Sequence, residues 1–206
     1  MGDFNRVLAP TSVADYTLRM NEGWTDERLM LAYRDGDAEA FERLYQRYRS
    51  KLYRHLAHQC GDARLAEELF QDIWLKVIAA RSTYEPLASF ATWIFRIAHH
   101  RLLDHYRKNG RDALASYTDD DALEAIPAPA ASADPARAAE SKAIAVRIGS
   151  ALAALPAAQR EVFLMAEAGG MTLDEIAAAT ASGRETIKSR LRYAMGKLRN
   201  SLEDLL

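Results

Sequence analysis

Arg184, Glu185, Thr186, Lys188, Ser189 and Arg192 have the side-chain types and spacing needed to read base edges. Arg and Lys donate to guanine and to phosphate oxygens, Glu accepts from the cytosine amine, and Ser or Thr bonds with either kind of group. In a helix opening at Arg184, the basic groups Arg184, Lys188 and Arg192 project from one face. Ile187, Leu191, Ala194 and Leu198 recur at helical intervals on another and mark the buried side. The element that must position this face lies just upstream. Gly169-Gly170 ends one helix, and Thr172 with Glu175 forms a capping box that opens the next, from Leu173 to Thr180. Ala181-Ser182-Gly183 then gives room to turn. Two helices so joined describe a helix-turn-helix whose second member enters the major groove. They equally describe an ordinary antiparallel helix pair with a solvated basic face, and the spacing leaves both readings open.

A second set of residues suits a separated strand. Pro86 disfavours helix at Glu85, so Tyr84 to Ala88 is a loop. Ser89 then caps FATWIFRIAHHRLLDHYRK, which carries Arg96, His99, His100, Arg107 and Lys108 beside Phe90, Trp93 and Phe95. Aromatics stack on unpaired bases and cations hold phosphates. Aromatics at helical spacing also make ordinary cores, the reading preferred for Trp93. A third set is acidic: in the helix from Ala63 to about Ala80, Ala66, Leu69, Phe70, Ile73, Trp74 and Val77 face inward, leaving Glu67, Glu68, Gln71 and Asp72 outward. Such a face is either solvated or docks a partner.

With 206 residues, of which 49% are apolar, the chain has material for one large domain or two small ones. No apolar run reaches membrane-spanning length, and the N-terminus lacks a secretory pattern, so a cytoplasmic protein without membrane insertion is expected. Cys60 is the single cysteine and excludes an internal disulfide. The net charge of −2 conceals segregation. Arg96, Arg101, Arg107, Lys108 and Arg111 form one basic segment, Arg184 to Arg199 another, while acids gather at Glu67, Glu68 and Asp72 and at Asp119 to Asp121. This pattern suits two DNA contacts and a separate partner surface.

The rest of the chain is organised around these sets. Residues 1–23 read as a flexible leader, with Met20 an alternative start. A short helix follows Thr25, turns at Asp35-Gly36, and restarts at Asp37 with the stripe Phe41, Leu44, Tyr45, Tyr48, Leu52 and Leu56. Gly61-Asp62 breaks and restarts it. Residues 109–140, rich in Ala, Pro and Asp, read as a flexible linker, extended near Pro127, Pro129 and Pro135. A helix from Ser141 to Leu155 turns Ile144, Ile148 and Leu152 inward, Pro156 opens the next, and Leu202, Leu205 and Leu206 pack back. The expectation is an all-α protein of two small helical domains, 24–108 and 141–206.

The wording of four segments resembles the extracytoplasmic-function (ECF) branch of bacterial sigma-70 factors. AEELFQDIW is similar to region 2.2, SFATWIFRIAHHRLLDHYRK to regions 2.3 and 2.4, LAALPAAQREVFLM to the opening of region 4, and EIAAATASGRETIKSRLRYAMGKLR to its end. The likeness covers about Asp26 to Lys108 and Ala151 to Asp204. It implies an alternative sigma factor, not an enzyme, without cofactor or metal, that binds RNA polymerase core at the β′ coiled-coil and β flap. Its implied partners are promoter DNA, as duplex and as melted strand, and an anti-sigma factor.

By the same resemblance, Glu67, Glu68, Gln71 and Asp72 dock on polymerase, and Arg184, Glu185, Thr186, Lys188, Ser189 and Arg192 read the minus-thirty-five element. Tyr84, Ser89, Arg96, His99, His100, Arg107 and Lys108 hold the opened minus-ten strand. Glu68 stands where Asp is commoner, His100 where Asn is frequent, and Ala181 and Glu185 where Gly is usual. Two other readings compete. A helix-turn-helix regulator acting without core polymerase explains the C-terminal half but not AEELFQDIW, and a metal site on His55, His58 and Cys60 or His99, His100 and His105 lacks ligands at a familiar spacing.

Overall fold

The structure, a computed structural model, describes residues 23–108 and 135–203, the latter with side chains from residue 142. All of the expected leader but Gly23, most of the expected linker, Asp119 to Asp121, and Leu205 and Leu206 lie outside the described residues. Every described regular element is helical.

Helices start and stop where the sequence places caps. In α1 (Asp26–Arg34), Thr25 accepts from the Arg28 N–H, and Gly36 at φ 115 makes the following turn. Asp37 opens α2 (Ala38–Cys60) by accepting from the Glu39 and Ala40 N–H groups at 2.9 and 3.2 Å. Gly61, left-handed at φ 63, closes it, and Asp62 caps α3 (Ala63–Ala79). A 3₁₀ turn at Arg81–Thr83 and a loop lead to α4 (Phe90–Lys108). At its start Ser89 Oγ accepts from the Thr92 N–H at 3.2 Å, and the Glu27 carboxylate of α1 accepts from the Phe90 N–H at 2.7 Å. Glu27 thus sets a negative charge at the positive end of α4.

The stripes meet as expected within this first unit. Leu29, Met30, Leu44, Leu52, Leu56, Ile73, Val77, Phe90, Ile94 and Phe95 are fully buried, each contributing about 1.5–3 kcal/mol through the apolar surface it hides. Phe41, Tyr45, Phe70 and Trp74 add a chain of ring contacts between α2 and α3 with centroids 5.0–6.3 Å apart.

The second unit holds α5 (Pro135–Ala153), α6 (Ala157–Glu167), α7 (Leu173–Thr180) and α8 (Arg184–Ser201). Helix α5 begins at Pro135 rather than at Ser141, because proline suits the first helical position and the following Ala-rich sequence propagates helix. The inward orientation expected for Ile144 and Ile148 is not found: they are 38% and 41% exposed, whereas Leu152 is 4% exposed. Their neighbours cover only the C-terminal part of α5, where Ala151, Leu152 and Ala153 are buried, and Leu155 just beyond it. Periodicity locates an apolar stripe but not the length of it that a neighbour covers.

The two units do not keep wholly separate cores. Val162, Met165, Met171, Ile176, Ala179 and Ile187 of the second unit join the buried cluster of the first, with α7 lying against α4 and α6 against α2.

Candidate functional site

Helix α8 presents the expected duplex-reading side chains. Ile187 and Ala194 are fully buried and Leu198 nearly so, which turns the opposite face to solvent. Arg184, Glu185, Thr186, Lys188 and Arg192 are exposed there, with Ser189 half-buried. Lys188 and Arg192 line a groove with Arg199, floored by Leu173, Leu191 and Met195. Glu185 does not stand apart from these cations: its carboxylate lies 3.6 Å from both Arg184 and Lys188, and Arg184 also reaches Asp174 at 2.9 Å. Glu185 therefore orients two donors as well as offering an acceptor.

The turn that aims α8 rests on Ala181, the one non-glycine residue at positive φ among the described residues (φ 50). Upstream, the capping box is complete: Thr172 Oγ1 accepts from the Glu175 N–H at 3.3 Å, and Glu175 accepts from the Thr172 N–H at 2.9 Å. The other Glu175 oxygen accepts from the hydroxyl of Ser89, the residue just before α4, at 2.5 Å. Burial alone favours the neutral acid, but hydrogen bonds from Ser89 and Thr172 outweigh it and hold this carboxyl below its usual range.

The loop before α4 and its first turns form a cleft lined by Thr83, Tyr84, Glu85, Leu87, Thr92, Trp93 and Arg96. Trp93 is half-buried, its ring centroid 5.0 Å from Tyr84 and 5.6 Å from Phe90, so the core reading preferred for it holds only in part. Tyr84 is 3% exposed and its phenol is pushed up to about 12, first by burial and then by Glu27 and Asp26. Its hydroxyl finds no hydrogen-bond partner among the described residues. Leu87, 88% exposed, stands at the mouth. Arg96 and His100 are open to solvent, as are Arg107 and Lys108 at the far end of α4.

His99 is not on that open face. It is 8% exposed, and its Nδ1 lies 2.8 Å from Glu161 Oε1 of α6. Ser89 is likewise engaged with Glu175. Sequence reasoning missed Glu161 and its neighbour Arg160, each 1% exposed, as well as Gln59, whose Oε1 accepts from Arg160 Nε at 3.1 Å. An Arg-Glu pair in the string PAAQREVFLM looks like helix surface, and nothing in its local pattern signals burial.

On α3, Glu67, Glu68 and Gln71 are exposed and share the outward face with Leu75 and Ile78, 62% and 44% exposed. Asp72 differs: it pairs with Arg101 of α4, which takes one residue from the open acidic face and one from the basic segment. His55 and Cys60 are buried, and among the described residues no three His, Cys, Asp or Glu side chains are placed to hold a metal. No helix among them is long and apolar enough to cross a membrane.

The pattern of sigma-70 region 2 matches residues 44–112, and that of sigma-70 region 4 matches residues 151–200. The ECF RNA polymerase sigma factor RpoE of Cereibacter sphaeroides is 35% identical over 176 residues, covering 84% of this chain and 93% of that one. CarQ, an RNA polymerase sigma factor of Myxococcus xanthus, is 31% identical over 177 residues, with coverages of 85% and 97%. Among solved structures, the sigma factor RpoE in complex with the anti-sigma factor NepR from Bartonella quintana superimposes with a TM-score of 0.63 at 24% identity, over 81% of this chain and 98% of that one. CnrH in complex with the cytosolic domain of CnrY gives 0.58 at 22% identity, over 87% and 97%. At these identities the structural likeness is one of fold. Two helical units in this order, one matching region 2 and the other region 4, define a sigma-70 factor, and the chain belongs to the extracytoplasmic-function branch of that family. It is an alternative sigma factor that directs RNA polymerase in transcription initiation.

Proposed function

We propose that the chain divides this work among three surfaces, acting in the cytoplasm beside the polymerase. Glu67, Glu68, Gln71 and Asp72 on α3, with Leu75 and Ile78, dock on the β′ coiled-coil of the core enzyme, and the second unit contacts the β flap. Arg184, Glu185, Thr186, Lys188, Ser189 and Arg192 on α8 read the minus-thirty-five element as duplex. The Tyr84 to Ser89 loop with Arg96, His100, Arg107 and Lys108 holds the opened minus-ten strand, with His99 turned instead to Glu161 behind that face, and polymerase performs all the chemistry. The observation that carries the reading is a solvent-facing cationic helix held by a capped helix-turn-helix, on the same chain as an aromatic and cationic cleft at the start of α4.

An anti-sigma factor is a proposed further partner. The solved sigma factor RpoE is in complex with the anti-sigma factor NepR, and the apolar groove between Ile148, Leu152, Phe163, Met195, Leu198 and Leu202 offers a surface for such a protein. Run-off transcription with sigma-free core on a genomic library tests the whole reading. Discrete start sites that depend on this protein are expected, and none would appear for a helix-turn-helix regulator that does not bind core.

A further inference from the structure

Arg101 joins two surfaces that carry different work. It lies on α4 one residue past His100 and two helical turns before Lys108, and so shares the face of Lys108 among the cations assigned to the opened strand. Its guanidinium nevertheless turns to Asp72 of α3, which sits between Glu68 and Leu75 at helical spacing on the docking face. The two side chains are 21% and 36% exposed, so the pair is within reach of solvent and of anything that docks on α3. The pair is also incomplete. One terminal nitrogen of Arg101 donates to the carboxylate, while Nε is buried and has no hydrogen-bond partner among the described residues. A guanidinium is a planar fork of donors suited to phosphate oxygens, and a buried donor left unpaired costs stability. Asp72 is therefore a weak home for Arg101, and one that is readily exchanged.

We propose that Arg101 is a further strand-contacting residue, held in reserve by Asp72: core polymerase, in taking the Asp72 carboxylate, releases the Arg101 guanidinium to a phosphate of the opened strand. This relay rests on the assignments of α3 to polymerase and of α4 to the strand. One carboxylate cannot fully serve both Arg101 and a cationic group of the core, so the internal pair competes with docking and with strand binding alike. The coupling is reciprocal, since a strand that takes Arg101 frees Asp72 for the core. Only a local exchange of partners is needed, because both side chains lie at the surface between two helices of one unit.

The test uses the full chain, sigma-free core polymerase and a pool of short single-stranded oligonucleotides, titrated over a series of salt concentrations with core alone as the blank. The parent is compared with Arg101→Gln, with Arg101→Lys, which keeps the charge, and with Arg49→Gln, which removes the same charge from an exposed site on α2. Thermal melting by circular dichroism establishes that each is folded. Arg101→Gln should bind core about threefold more tightly, because Asp72 has lost its internal competitor. With core bound, the slope of log affinity on log salt for the single strand should fall by about 0.7, the share of one phosphate. Arg101→Lys and Arg49→Gln should match the parent in both. Unchanged core affinity or an unchanged slope for Arg101→Gln, or an equal gain in core affinity by Arg49→Gln, overturns the relay and leaves the α3 and α4 assignments standing. A parent complex that binds the strand no better than core alone overturns the α4 assignment and the relay together. Where Arg101→Gln melts well below the parent, Asp72→Asn reads the coupling from the other side. It should bind single strand about threefold more tightly without core, beyond any gain shown by Glu42→Gln at an exposed acid on α2. The same affinity in those two variants overturns the relay.

Discussion

Single residues in the second unit carry separable physical tasks. Ala181 adopts a left-handed conformation that its Cβ disfavours, so Ala181→Gly should raise stability by up to about 1 kcal/mol, read as a higher urea midpoint without loss of duplex binding. A lower midpoint would mean that the methyl group packs more favourably than its backbone strain costs. Lys188 and Arg192 project into the groove on the exposed face of α8. Replacing either by Ala should weaken promoter binding by about 1–3 kcal/mol where a base is contacted, and less selectively where only phosphate is touched. Equal affinity for matched and scrambled duplexes in the parent protein would remove base reading from this face. Glu175 has a double role, joining the cap of its own helix to Ser89 of another, and only the first half is encoded within three residues of sequence.

At the scale of helices, α3 shows how a surface is narrower than its pattern. Glu67, Glu68, Gln71 and Asp72 share one side of the helix, yet Asp72 is tied to Arg101 while Glu68 stands exposed. Charge reversal should therefore separate the two. Glu68→Arg should abolish co-purification with polymerase core and leave the melting temperature unchanged. Asp72→Arg should lower the melting temperature as well, because it sets two guanidinium groups against each other across α3 and α4. Retained co-purification by Glu68→Arg would take the docking surface away from this face. Helix α5 makes a similar point with apolar side chains: Ile144, Ile148 and Leu152 are equivalent on a helical wheel, but only Leu152 has neighbours on every side.

Across the whole molecule, helix packing leaves His55 fully buried with neither ring nitrogen hydrogen-bonded among the described residues. Its pKa falls to about 4. Burial is the main cause, Glu161 opposes it, and His99, His58 and Arg160 add to it. Because the folded state binds this proton less well than the unfolded chain, the contribution to stability is complete above about pH 6.5. It is lost progressively as pH falls toward 4, by about 3 kcal/mol in total. Urea denaturation at a series of pH values should show this loss, and His55→Leu should flatten it. Parallel acid curves for the two proteins would assign the sensitivity to other groups.

Helix positions, capping residues, most buried stripes and the family were legible in the sequence, because each is written in contacts three or four residues apart or in contiguous wording. Thr172 with Glu175 and Ile187 with Leu191 are of this kind. Which polar groups remain open was decided by tertiary structure alone. Asp72 meets Arg101 across 29 positions, His99 meets Glu161 across 62, Ser89 meets Glu175 across 86, and Gln59 meets Arg160 across 101. Pairs so distant leave no periodic trace, since their partners are chosen by how amphipathic helices stack and not by the residues beside them in the chain.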